Sequence, residues 1–114
     1  MPKRDDDLLV GDVIDCCANI FEYTAGMNFN DFIQDKKTID AVIRNFEVMG
    51  EASKRTSEDI RLLNANIEWR KIGDFRNVLI HDYFGINYEI LWQIIEEYLP
   101  GQFQFLKELS NKLS

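Results

Sequence analysis

The chain has 114 residues, 46% of them hydrophobic and 29% charged, and carries a formal net charge of -7 at pH 7. That length supports one domain with a modest core, small enough for oligomerisation to help it. Six glycines and two prolines suit a helical globule better than a disordered or many-turned β chain. The negative total excludes broad, charge-driven binding of nucleic acid, because a surface of that sign repels phosphates on average.

Any nucleic-acid activity must therefore come from a local basic pocket. Arg44, Lys54, Arg55, Arg61, Arg70, Lys71 and Arg76 lie in the middle of the chain while the acids crowd both ends. A solvated acidic surface with scattered cations is the competing reading. The charged start, with no apolar run of the roughly 18 to 20 residues needed to span a bilayer, gives the cytoplasm as the expected location and no membrane partner. Cys16 and Cys17 are neighbours, about 100° apart on a helix, which is poor geometry for a disulfide between them. They read as reduced core thiols.

From Asp7 to Tyr23 the residues Leu8, Val13, Cys16, Cys17, Ile20 and Phe21 recur at three- and four-residue spacing, predicting an amphipathic helix stopped by Gly26. "NFNDFIQD" reads as a loop and a short helical turn with Asn30 as N-cap. A long helix is expected from Lys37 or Thr38 toward Lys54 on the stripe Ile39, Val42, Ile43, Phe46, Met49 and Gly50, with Thr56 or Ser57 ending it or capping the next. "SEDIRLLNANI" suggests a short helix and a turn at Asn64 to Asn66.

A further helix is predicted over Trp69 to Tyr83, ended by Gly85. Asn87 then caps a last helix with the stripe Ile90, Leu91, Ile94, Ile95 and Tyr98, and Pro100-Gly101 predicts a kink or two abutting helices before "QFQFLKELSNKL". No useful strand pattern and no internal repeat appear. The expected class is all-α, a single domain over 1–114 built as an antiparallel bundle of four to five helices.

Within Trp69 to Tyr83 one residue is out of place. At about 100° per residue, Trp69, Ile72, Phe75, Leu79, Ile80, Tyr83 and Phe84 flank Arg76 on both sides, so a guanidinium interrupts an apolar stripe. Asn77 and His81, four apart, share the adjoining edge with Arg70 and Gly73. Burying an unpaired guanidinium costs about several kcal/mol, so Arg76 needs a partner. Three readings stand: a buried ion pair with Glu47 or Glu51, a helix-pair dimer seam with the arginine facing a wet cleft, or a catalytic or ligand-binding role.

His81, the only histidine, can take and give protons near neutrality. Arginine stays charged and suits an anionic oxygen. Together they match what cleavage of RNA by its own 2′-hydroxyl requires: proton transfer at the nucleophile or leaving oxygen, and stabilisation of the phosphorane. One histidine with a cysteine doublet elsewhere makes no transition-metal shell, the carboxylates lack calcium-loop spacing, and isolated glycines form no phosphate loop. No metal or cofactor is expected.

The run Arg76-Asn77-Val78-Leu79-Ile80-His81-Asp82-Tyr83 fits R-x4-H-x-Y, and with it the chain resembles the HepT-like toxins of the HEPN superfamily. "DAVIRNFEVMGEASKR" (40 to 55), "WRKIGDFRNVLIHDYFGI" (69 to 86) and "LWQIIEEYLP" (91 to 100) are similar to that family's segments in the same order, so the likeness covers nearly the whole chain. The resemblance implies a helical homodimer that brings two Arg and His sets to one cleft, and a metal-independent endoribonuclease acting as the toxin of a toxin-antitoxin pair. It implies catalytic roles for Arg76 and His81, a supporting polar role for Asn77, and Tyr83 as acceptor of AMP. The implied partners are RNA and a minimal, MntA-like nucleotidyltransferase antitoxin, with a larger hetero-oligomer between toxin and antitoxin left open. Read for itself, Tyr83 is equally an interface aromatic whose hydroxyl reaches water. The alternative function is a non-catalytic helical adaptor or nucleotide-binding module paired with a nucleotidyltransferase.

Overall fold

Leu9, Val10, Val13, Cys16, Cys17 and Ile20 fall on one side of a helical wheel, and their burial makes the first helix, α1 (Pro2–Thr24), one wall of the core. This is a computed structural model, describing residues 2–75, 77 and 85–113. The helix begins before the expected Asp7. Leu8, expected on the stripe, is 64% exposed: it lies five residues from Val13, about 140° around the wheel, so Leu9 and Val10 take the inner face instead. Both cysteines are free and buried. Gly26, at φ +78°, turns the chain after α1, a conformation that costs glycine little.

The short helix α2 (Phe29–Ile33) is capped by Asn28, not by the expected Asn30. Asn28 Oδ1 accepts from the Asp31 amide at 2.8 Å and Asp31 Oδ2 accepts from the Asn28 amide at 3.2 Å. This reciprocal box needs a polar side chain three residues after the cap. Asn30 has the apolar Ile33 at that place.

Helix α3 (Lys36–Arg55) starts slightly earlier than expected, because Asp35 caps it by accepting from the Thr38 amide at 3.1 Å. Its face Val42, Phe46 and Met49 is fully buried and packs mainly against α1. The two run antiparallel: the Asp6 carboxylate of α1 accepts from the Ser57 amide (2.9 Å) and hydroxyl (2.6 Å) just past the end of α3, while Asn19 donates to Asn45 at 3.1 Å. Thr56 ends α3, and Ser57 caps α4 (Glu58–Leu63). The expected turn follows at residues 64–66.

Helix α5 (Trp69–Gly73) crosses α3 where Gly50 meets Gly73. A Cβ at Gly50 would stand 3.3 Å from the Ile72 carbonyl oxygen, so a side chain there would need the two helices to part by a few tenths of an ångström. The single helix expected from Trp69 is interrupted: α5 ends at Gly73, and the Asp74 amide is shared between the carbonyls of Arg70 (3.0 Å) and Lys71 (3.2 Å). Helical geometry returns at Phe75 and Asn77. The remainder of the expected helix lies outside the described residues.

Gly85 has φ +107°, and Asn87 caps α6 (Tyr88–Gln93) by accepting from the Ile90 amide at 3.1 Å. Pro100 does not break the helical path. A π-helical turn (Ile94–Tyr98) leads directly into α7 (Leu99–Leu113), with the Leu99 amide bonding the carbonyl of Ile94. Proline has no N–H for the carbonyl four residues back, and the widened turn just before Pro100 changes the bonding register while the chain stays helical. Leu91, Ile95, Leu99, Gln102, Leu106 and Leu109 form the buried stripe; Ile90, expected on it, is 43% exposed.

The result is an all-α bundle, with α7 closing the core against α1. None of its helices, among the described residues, is long and apolar enough to cross a membrane.

Candidate functional site

The segment entering the motif is rigidly placed. Phe75, immediately before Arg76, is 1% exposed and stands edge-on between Phe46 of α3 (5.3 Å between centroids) and Tyr98 of the π-helical turn (5.8 Å). Burying such a ring contributes about 1.5 to 3 kcal/mol, so the first motif residue follows a fixed point of the core. Trp69 is fixed as well, its indole N–H donating to the Asn64 carbonyl at 3.1 Å. Asn77 is helical and exposed, as its expected edge position requires. Arg76, His81 and Tyr83 lie outside the described residues, and with them the question of an ion pair from Arg76 to Glu47 or Glu51.

Among the described residues, most of the expected basic side chains divide between two cavities. Arg44 and Arg55 share a cavity of about 440 Å³ on α1 and α3 with Asp12, Glu47 and Glu51. Arg61, Arg70 and Lys71 line a separate cavity of about 580 Å³ between α4 and α5, together with Glu68 and Asp74. Lys54 belongs to neither, because its side chain covers Gly73 at the helix crossing.

A third cavity, of about 430 Å³, is largely apolar and bounded by Lys71, Phe75, Ile90, Ile94, Glu97 and Tyr98. Lys71 therefore lines both this cavity and the basic one, with its ammonium 4.8 Å from the centre of the Tyr98 ring. The Tyr98 hydroxyl is buried beside the Glu68 carboxylate, and no described residue meets it in strict hydrogen-bonding geometry. Burial, with the nearby Glu68 carboxylate second, pushes its phenol pKa up and keeps it neutral.

Gln102 is a residue whose role the sequence pattern does not reveal. It is 7% exposed, sits on the apolar stripe of α7, and its side-chain oxygen accepts from the Glu68 amide at 2.9 Å. That bond pins the loop entering α5. A polar side chain interrupting a hydrophobic stripe is the available signal, the same one that singles out Arg76. Among the described residues no group of three or more His, Cys, Asp or Glu could hold a metal ion.

The architecture is that of a small helical-bundle protein whose motif follows a pinned aromatic. The family description "Ribonuclease HepT-like" matches residues 13–109. Among similar proteins, "Putative RNase MJ0127" of Methanocaldococcus jannaschii is 39% identical over 109 residues, covering 96% of this chain and 90% of its own. "Probable ribonuclease HepT" of Thermococcus cleftensis is 38% identical over 109 residues, covering 93% and 99%. "Putative RNase TTE0752" of Caldanaerobacter subterraneus subsp. tengcongensis is 34% identical over 96 residues, covering 84% and 86%. No solved structure matches. The chain belongs to the HepT-like ribonuclease family, and its activity is that of an endoribonuclease.

Proposed function

We propose that the protein is a metal-independent endoribonuclease toxin that works as a homodimer in the cytoplasm, with Arg76 and His81 as catalytic residues and Asn77 as their polar support. The imidazole of His81 transfers the proton at the attacking 2′-hydroxyl or at the leaving 5′-oxygen. The Arg76 guanidinium stabilises the added negative charge on the phosphorane. Attack of the 2′-oxygen on phosphorus breaks the bond to the 5′-oxygen, leaving a 2′,3′-cyclic phosphate and a 5′-hydroxyl. The observation that carries this reading is the R-x4-H-x-Y run beginning directly after the buried Phe75 in a chain of a ribonuclease family.

The dimer reading is supported by the apolar cavity beside Phe75, which has the exposed Ile90 on its rim. A second copy covering that face would close the cleft over the motif. Control by a minimal nucleotidyltransferase antitoxin follows from Tyr83, seven residues from Arg76 and so nearly eclipsed with it on a helix. Attack of its phenol oxygen on the α-phosphorus of ATP would form a phosphodiester to AMP and release pyrophosphate. The attached phosphate would set negative charge beside Arg76 and occupy the place of RNA.

Purified protein, incubated with assorted RNAs in the presence of chelator, tests the activity. The wild type should cut and leave cyclic-phosphate ends, while Arg76→Ala and His81→Ala should not, with the dimer intact; retained cutting by both variants overturns the assignment. Intact mass after expression with and without the neighbouring gene reports each added adenylate. An unmodified wild type that cuts no RNA would favour the helical adaptor.

A further inference from the structure

Resting on the ribonuclease reading, we infer that the cavity between α4 and α5 is a phosphate-binding subsite of that same centre, where Arg61, Arg70 and Lys71 hold the backbone of the RNA strand beside the motif. The chain as a whole repels polyanions, so the strand needs a local cationic foothold. Three cations border an open depression of about 580 Å³, with Ala65, Ile67 and Trp69 in its wall. None of the three is in an ion pair with a carboxylate among the described residues. The Arg61 Nε is buried and has no acceptor among the described residues.

That N–H is closed to solvent, so a phosphate would be held by the remaining donors of Arg61 together with those of Arg70 and Lys71. Glu68 and Asp74 also border the cavity, which limits the cationic excess to one charge and suits a short stretch of backbone rather than a long polyanion. The walls are preorganised. Gln102 holds the Glu68 amide at 2.9 Å, and the Asn64 carbonyl accepts from both the Trp69 indole (3.1 Å) and the Ile67 amide (3.1 Å).

Position ties the cavity to the motif. Lys71 also borders the cavity that contains Phe75, the residue before Arg76. A strand seated on Arg61 and Arg70 would pass Lys71 on its way to the proposed scissile position. The groove holding Arg44 and Arg55 differs in kind, since three carboxylates face its two arginines.

The test is equilibrium binding of a 2′-O-methyl RNA, which lacks the attacking hydroxyl and cannot be cut, alongside cleavage of the matching unmodified RNA. The test variant carries Arg61→Gln, Arg70→Gln and Lys71→Gln. Lys36→Gln with Lys37→Gln, at the far end of α3, controls for the loss of global charge, and helical circular dichroism checks that each variant is folded. The triple variant should bind at least about tenfold more weakly, with the slope of log Kd against log salt reduced by about two, as the loss of three contacts to a single strand requires. Its cleavage should show a raised KM with kcat little changed, while the control pair stays near wild type. A wild type that cuts RNA and a folded triple variant that binds as tightly as the control pair would overturn the subsite and leave the ribonuclease reading standing. A wild type that neither cuts nor binds would overturn both.

Discussion

Replacing Gly50 by alanine tests whether the α3–α5 crossing sets the position of the motif. The new Cβ would stand 3.3 Å from the Ile72 carbonyl oxygen and 3.4 Å from that of Gly73. Both are backbone atoms of α5, so relief requires the whole short helix to move by a few tenths of an ångström. Overpacking of this kind costs about 1 to 3 kcal/mol. Against it stands the helix preference of alanine over glycine, about 1 kcal/mol. Gly11 of α1 supplies the internal standard, because a Cβ there meets nothing within 4 Å and Gly11→Ala should collect the helix preference alone. Urea unfolding of the two variants should therefore place Gly50→Ala about 1 to 3 kcal/mol below Gly11→Ala, and RNA cleavage should fall in the former only. Equal stabilisation by both substitutions, with cleavage unchanged, would refute the idea that this crossing is sterically saturated.

Two further outcomes are expected. Ile90→Asp puts a charge on the exposed rim of the apolar cavity beside Phe75, the face proposed for the dimer; light scattering should show a dimeric wild type and a variant shifted toward monomer with the helical signal kept, and a monomeric wild type or an unaltered dimer would overturn that seam. Burial first, then nearby carboxylates, pushes the Cys16 thiol up to about 11, and burial first pushes Cys17 up to about 12, from an ordinary value of 9.0. A folded-state pKa raised above the unfolded one gives stability that is intact below 9.0 and lost as pH climbs toward 11 and 12, because the unfolded chain ionises first. Near neutrality the native protein should resist alkylation that labels the urea-unfolded chain fully, and rapid labelling of the folded form would contradict the buried placement.

The long helices are legible because burial imposes their period: Val13, Cys17 and Ile20 on α1 and Val42, Phe46 and Met49 on α3 lie where the spacing requires. Spacing misleads where one or two residues of phase decide the answer. Leu8 and Ile90 each adjoin the true stripe without belonging to it, and Asn28 rather than Asn30 caps α2 because only it has a reciprocating partner at the right distance. The π-helical turn has no signal beyond Pro100, since proline states that one bond is missing and not how the chain will compensate. The division of the basic residues is illegible for a different reason. Arg61 and Lys71 come together across a loop that Gln102 of α7 helps to pin, a long-range bond that no local pattern encodes.

Polar residues set in apolar stripes connect these observations. Asp6 on α1 accepts from the Ser57 amide and hydroxyl, and Gln102 on α7 accepts from the Glu68 amide, so each is satisfied by N–H or O–H donors that a folded chain has at its turns and caps. A guanidinium can only donate, and at such a place it needs a carbonyl, a carboxylate or an external anion. Arg76 occupies the same kind of stripe position in the sequence, and Arg61, nearer the surface, has a buried N–H without an acceptor among the described residues. On the proposed roles, an arginine before α5 in the chain and one after it would give a protein of net charge -7 a local hold on a phosphodiester. Recognition of RNA would then rest on these cationic donors, with the acidic exterior repelling strands that do not reach the cavity.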